Sequence, residues 1–183
     1  MFHMLDFIER KRDGGIHTES ELLDFVAAVR DDTIPDYQTA AWLMAAFLRS
    51  LNDAELAAFT RALAFSGDVV RFPSGKIAVD KHSTGGVGDK TPLLVAPLVA
   101  ACGLPVAKLS GRGLGFTGGT VDKLESIPGM AVHLTTERFQ KQVERIGIAL
   151  SGHSLALAPA EGKFYALRDV TGTVPSLPLI ASS

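Results

Sequence analysis

Residues 76–120 read KIAVDKHSTGGVGDKTPLLVAPLVAACGLPVAKLSGRGLGFTGGT, and this stretch decides the fold. Lys76-Ile77-Ala78-Val79-Asp80 has the composition of a strand, a helix rich in Leu, Val and Ala spans about 90–102, and Pro105-Val106-Ala107-Lys108-Leu109 makes a second strand. Strand, helix, strand is the unit of a parallel sheet. Glycine is concentrated here, with nine of the chain's 18 between residues 85 and 119. Two loops hold most of them, Lys81 to Asp89 and Ser110 to Thr120, each after a strand and before a helix. In a parallel sheet such loops lie at the carboxyl ends of the strands, where ligands bind. Glycine there lets backbone N–H groups converge on an anion. One ligand touched by both loops is the economical reading.

The polar residues of the loops select the ligand. Lys81 and Lys108 supply positive charge, while Ser83, Ser110 and Thr120 supply hydroxyl donors on short side chains. That set suits inorganic phosphate. His82 falls between Lys81 and Ser83, so in a strand end its side chain points to the opposite face, toward a second substrate to which it can donate a proton or hydrogen bond. The alternative is a structural histidine bonded to a loop carbonyl. Two textual matches are set aside. Gly113-x-Gly115-x-x-Gly118 has the dinucleotide spacing, but no acidic residue ends a following strand at the required distance. Gly88-Asp89-Lys90-Thr91 resembles the end of a P-loop, yet Asp89 would aim a carboxylate at the phosphate.

Upstream, the first 66 residues read as helices alone. A short helix carrying Leu5, Phe7 and Ile8 stops at Asp13-Gly14-Gly15, and Thr18-x-x-Glu21 and Asn52-x-x-Glu55 have capping-box spacing ahead of two further helices. Between them a helix starts near Pro35 and runs through AAWLMAAFLRSL, apolar on nearly its whole circumference and so expected to be buried on most sides. Trp42, Met44 and Phe47 on it are core or interface. Downstream, Thr135 to Ile146 is a helix, Ile148-Ala149-Leu150 a short strand, Pro159 to Arg168 a helix, and PSLPLIASS begins another. Asp122 and Glu125 share one helix face, where acidic groups are favoured by the dipole without any catalytic role, and Arg112 reads as structural.

With 183 residues, 46% hydrophobic, the chain has material for an ordinary core and disorder is excluded. Net charge is −2, with 8 Lys/Arg against 12 Asp/Glu in residues 1–76 and 10 against 8 in residues 77–183, so nucleic acid is not the expected partner. A single cysteine, Cys102, excludes an intrachain disulfide and a Cys-built zinc site. The start lacks the pattern of a secretory signal and no apolar run spans a bilayer, which predicts a soluble, cytoplasmic protein without a membrane partner.

KHSTGGVGD at 81–89 followed by KLSGRGLGFTGGTVDKLESIPG at 108–129 closely resembles the thymidine and pyrimidine-nucleoside phosphorylases, and YALRDVTGTVPSLPLIASS at 165–183 is similar to their next motif block. The resemblance implies an α/β fold of the nucleoside phosphorylase class II, or glycosyltransferase family 3, type: an all-helical domain plus the beginning of a mixed α/β domain whose sheet is incomplete in this chain. The expected divisions are 1–70 helical, 71–155 the start of the phosphate-binding domain, and 156–183 a return segment of the helical domain. It implies a pentosyltransferase for the reversible phosphorolysis of pyrimidine (deoxy)nucleosides to free base and (deoxy)ribose 1-phosphate. By resemblance, Lys81, Ser83, Lys108, Ser110 and Thr120 hold phosphate, His82 and Arg168 are the catalytic pair, Arg168 and Ser183 bind the base, and the helical domain forms a homodimer. A guanidinium suits a pyrimidine because it presents several donors in one plane; the bland reading of Arg168 is a surface pair with Asp169.

Three departures stand out. The first loop continues Lys90-Thr91-Pro92 where the bacterial enzymes have Thr-Thr-Thr, which loses a phosphate hydroxyl at Pro92. No cofactor is expected to be required; the resemblance implies a potassium ion at Gly88 and the residue at 90, which backbone carbonyls could still ligate but which the Lys90 charge opposes. Phe116 replaces a frequent histidine. Finally, the family's chain is more than twice as long, so residues 1–183 correspond to an N-terminal portion, activity is expected to be impaired if the chain ends at Ser183, and the interrupted sheet leaves an edge to be covered. The competing readings are an anthranilate phosphoribosyltransferase-like enzyme, and an inactive fragment serving as a dimerisation module.

Overall fold

The computed structural model describes residues 2–72, 75, 77–81, 90–113, 118–152 and 156–183. The chain divides into two compact units, Met1–Asp68 with Ala156–Ser183, and Val69–Leu155. Helices α1 (Met4–Arg12), α2 (Glu19–Arg30), α3 (Asp36–Arg49), α4 (Asp53–Ala64), α8 (Pro159–Thr171) and α9 (Leu177–Ser182) build the first. The second contains α5 (Thr91–Ala101), β1 (Val106–Ser110), α6 (Thr120–Glu125), α7 (Thr136–Ile146) and β2 (Ile148–Gly152).

Local sequence explains the helix starts in the first unit. Thr18 and Asn52 each close a complete capping box, the side chain accepting from the backbone N–H three residues on while Glu21 or Glu55 reaches back. Pro35 is the N-cap of α3. Contrary to the near-complete burial expected of α3, the helix is sided: Trp42, Leu43 and Ala46 are buried, whereas Tyr37 is 74% exposed and Leu48 70%. Its small residues let one stripe approach the core closely, and the remaining apolar side chains face outward.

The core of this unit is a set of stacked and tilted rings. Trp42 lies 4.6 Å from Phe25 and 5.3 Å from Phe59 between centroids, and Phe164 of α8 meets Phe25 at 5.4 Å and Phe59 at 5.3 Å. Phe164 thereby fixes residues 156–183 onto helices more than a hundred positions earlier. Lys163 beside it donates to the Val29 and Arg30 carbonyls, both at 3.0 Å, placing a cation at the C-terminus of α2 where the helix dipole favours one.

A polar cluster around Glu55 is buried within this unit. The Lys11 ammonium contacts Glu55 Oε1 at 2.6 Å, and the Glu55 carboxylate also accepts from the backbone N–H of His17 at 2.9 Å and of Asn52 at 3.0 Å. Burial alone would raise the Glu55 pKa, but Lys11 and these N–H groups hold it below the usual range. Trp42 Nε1 donates to His17 Nε2 at 3.1 Å, so that nitrogen is an acceptor and the ring is neutral. Burial first, and the Lys11 charge second, push the His17 pKa down to about 4.

In the second unit β1 and β2 pair in parallel, Val106 against Ile148 through Ser110 against Gly152. Ala107 and Leu109 turn to one face with Phe139, Val143, Leu134 and Ala149. By the two-residue period Val106, Lys108 and Ser110 point to the other. The strand expected at 76–80 is reduced, among the described residues, to a single parallel bridge of Val79 with Val106. Val79 N–H donates to the Pro105 carbonyl at 2.8 Å and the Val79 carbonyl accepts from Ala107 at 3.1 Å, after which Asp80 turns its carboxylate back onto the chain. No helix among the described residues is long and apolar enough to cross a membrane.

Two outcomes follow from this packing. Phe164→Ala is expected to destabilise the protein by about 3–5 kcal/mol in urea unfolding, the cost of emptying a fully buried ring site. His17 contributes stability that is complete above its unfolded value of 6.5 and lost as pH falls toward about 4, because the unfolded chain takes up the proton first. His17→Gln keeps an acceptor for Trp42 and removes the titration, so stability measured between pH 6.5 and 4 declines less steeply.

Candidate anion site and the polar cluster of the helical unit

The side chain of Lys108 is almost wholly buried on the face of β1 that carries Val106 and Ser110. A buried ammonium needs oxygen partners, and it has two: the Asp80 carboxylate at 3.1 Å and the Lys81 carbonyl at 2.8 Å. Asp80 Oδ1 also accepts the Lys81 backbone N–H at 2.6 Å. The Lys108 ammonium on β1 thus reaches the backbone of Lys81, the first residue of the first loop. Ser110 closes β1 opposite Gly152, and Thr120 opens α6 and is buried. His82, Ser83, Gly88 and Phe116 lie outside the described residues.

The second loop is closed by a carboxylate. Asp122 Oδ2 accepts from Gly113 N–H and Gly119 N–H, each at 2.7 Å, and Arg112 donates to Asp122 at 2.9 Å and to both Glu125 oxygens at 2.7 Å. Burial acts to raise the Asp122 pKa, and the two glycine N–H groups, then Arg112, bring it below its ordinary value. The loop recrosses itself so tightly that a Cβ on Gly119 would lie 2.4 Å from the Arg112 carbonyl carbon and 2.5 Å from Gly113 N. Only glycine fits there. Two of the backbone N–H groups expected to converge on an anion, those of Gly113 and Gly119, are therefore already taken by Asp122.

In the helical unit, Arg168 is buried, which rules out the surface pair with Asp169. Its guanidinium donates to the Leu179 and Val174 carbonyls, both at 3.0 Å, and so ties α9 and the preceding turn to α8. Nε has no hydrogen-bond partner among the described residues. The Ser183 hydroxyl donates to Glu161, seven positions before Arg168 on α8. Burial raises the Glu161 carboxyl to about 6, against the opposing pull of Ser183 and Arg168. Sequence reasoning missed Glu161, Asp80 and the loop-closing role of Asp122; a carboxylate placed directly before Lys81 was the one visible signal.

The residue at 90 that would help Gly88 hold potassium is a lysine at the N-cap of α5. The charge of its ammonium does not fit a cation site.

A helical bundle together with a parallel α/β unit defines a two-unit class of fold. Two family models match: a glycosyl transferase family helical bundle domain over residues 5–67 and a glycosyl transferase family α/β domain over residues 75–183. The chain belongs to this glycosyl transferase family. It is 55% identical to the pyrimidine-nucleoside phosphorylase of Staphylococcus haemolyticus and 53% identical to those of Geobacillus stearothermophilus and Staphylococcus aureus, each match covering 98% of this chain. It spans 42% of the length of those relatives. Its fold is also similar to anthranilate phosphoribosyltransferase from Thermus thermophilus, with TM-score 0.72 and 21% identity over 95% of this chain and 53% of that one.

Asp122→Ala strands the Gly113 and Gly119 N–H groups and releases Arg112. Thermal and urea unfolding should show a loss of about 1–2 kcal/mol, with faster amide exchange confined to residues around 113 and 119.

Proposed function

We propose that the chain carries the phosphate-binding start, and part of the base site, of an enzyme for reversible phosphorolysis of pyrimidine nucleosides. The observation that carries this reading is the buried Lys108 ammonium, 2.8 Å from the Lys81 carbonyl, where two glycine-rich loops begin. The 53–55% identity to pyrimidine-nucleoside phosphorylases supports that chemistry over phosphoribosyl transfer. Lys81, Ser83, Lys108, Ser110 and Thr120 are assigned to phosphate. A phosphate oxygen forms its bond to the anomeric carbon as the C–N bond to the base breaks, and the electron pair of that bond departs on the pyrimidine. His82 is assigned the proton or hydrogen bond that stabilises the departing base.

Arg168 and Ser183 are assigned to the base. Two of the five Arg168 donors are spent on Leu179 and Val174, which orients the plane and leaves others for pyrimidine carbonyls. The divisions 1–70, 71–155 and 156–183 are the proposed domain limits. A homodimer through the helical domain is proposed on the exposed flank of α3 at Tyr37 and Leu48, in a cytoplasmic protein of nucleoside salvage.

Calorimetry with inorganic phosphate, together with phosphate-dependent release of uracil or thymine from uridine or thymidine, tests the reading. Lys108→Met should weaken phosphate binding at least about tenfold, the scale of a lost charge-assisted hydrogen bond. Undiminished binding in that variant overturns the assignment.

A further inference from the structure

We propose that Asp80 is a positioning residue for the anion site: its Oδ1 locks the Lys81 backbone and the Lys108 ammonium into one arrangement that aims the remaining Lys108 N–H at phosphate. The inference rests on the phosphate reading above.

An ammonium has three donors set tetrahedrally. One goes to Asp80 at 3.1 Å and one to the Lys81 carbonyl at 2.8 Å, so the direction of the third is fixed by the other two. Among the described residues that third donor has no partner. The same Asp80 oxygen accepts the Lys81 N–H at 2.6 Å. A single carboxylate oxygen therefore sets where the first loop leaves the sheet and where the cation of β1 stands. A lysine stem has four rotatable bonds, and ordering them before the ligand arrives removes that entropy from the cost of binding.

Asp80 also carries a negative charge near an anion site, which by itself opposes phosphate. Its side chain is 41% exposed, so solvent screens that repulsion, while the buried ammonium, 7% exposed, keeps its orientation. The two effects separate by substitution. Asp80→Asn keeps the Oδ1 acceptor for both donors and removes the charge. Asp80→Ala removes both.

The experiment titrates inorganic phosphate into the wild type, D80N, D80A, K108M and the D80A/K108M double variant by calorimetry, with melting temperatures measured alongside. D80A should bind phosphate about tenfold more weakly, while D80N stays within about threefold of wild type or binds more tightly. D80A/K108M should be no weaker than K108M alone, because Asp80 acts through Lys108. In phosphorolysis assays D80A should raise the KM for phosphate and leave the KM for nucleoside within twofold. Equal shifts in D80A and D80N, in either direction, overturn the proposal in favour of a counter-ion or a folding role. Additive losses in the double variant also overturn it. A wild type that binds no phosphate removes the phosphate reading itself; a wild type that binds, with D80A unaffected, removes only this inference.

Discussion

A lysine ammonium taken out of water must be met by oxygen, and the position of Lys108 imposes that demand on the α/β unit. Its place is fixed by the pleat of β1: Ala107 and Leu109 go to the apolar face with Phe139 and Val143, so Lys108 goes to the other and is buried there. Oxygen has to be delivered to it, and the chain entering the first loop does so with the Asp80 carboxylate and the Lys81 carbonyl. The single bridge at Val79 is enough to align that delivery, because two backbone hydrogen bonds fix direction and register before the chain turns.

Features governed by neighbours in sequence were legible and features governed by distant partners were not. Thr18-x-x-Glu21 and Asn52-x-x-Glu55 announce their helices because the capping box is closed within four residues. The strands at 105–109 and 148–150 were legible as short apolar runs, but the parallel partner read for the first was 76–80, and the structure pairs it with β2. The burial of α3 was overestimated because an apolar circumference says nothing about which side a neighbour covers; Tyr37 and Leu48 face outward while Trp42 is sealed. Asp122 and Glu125 were readable as a helix-dipole effect and Arg112 as structural, yet Asp122 also reaches back nine residues to Gly113, a contact set by loop geometry rather than spacing.

The helical unit shows the same dependence on partners in its two buried glutamates. Glu55 meets Lys11 and two backbone N–H groups, and it stays ionised below the usual carboxylate range. Glu161 meets a hydroxyl, with the Arg168 charge near enough to oppose burial but not to cancel it, and is raised to about 6. Glu55 therefore adds stability that is lost on acidification, whereas the burial of Glu161 becomes costlier as pH rises past 4.5 toward 6. Identical side chains on neighbouring helices of one core contribute with opposite sign. The difference lies entirely in what the fold places against each carboxyl group.

The Asp122 contact also constrains what the glycine-rich loop can do. Glycines beside a strand end commonly bare N–H groups to an anion, but Gly113 and Gly119 spend theirs on an internal carboxylate. The loop is then shaped by its own charge, and Gly119 is required by the close passage over Arg112 rather than by a ligand. Of the residues proposed for phosphate, Lys81, Lys108, Ser110 and Thr120 lie in the described part of the chain. A backbone N–H committed to Asp122 can turn to an anion only by giving up a charge-assisted bond, so in the described part of the loop these two glycines serve as its frame.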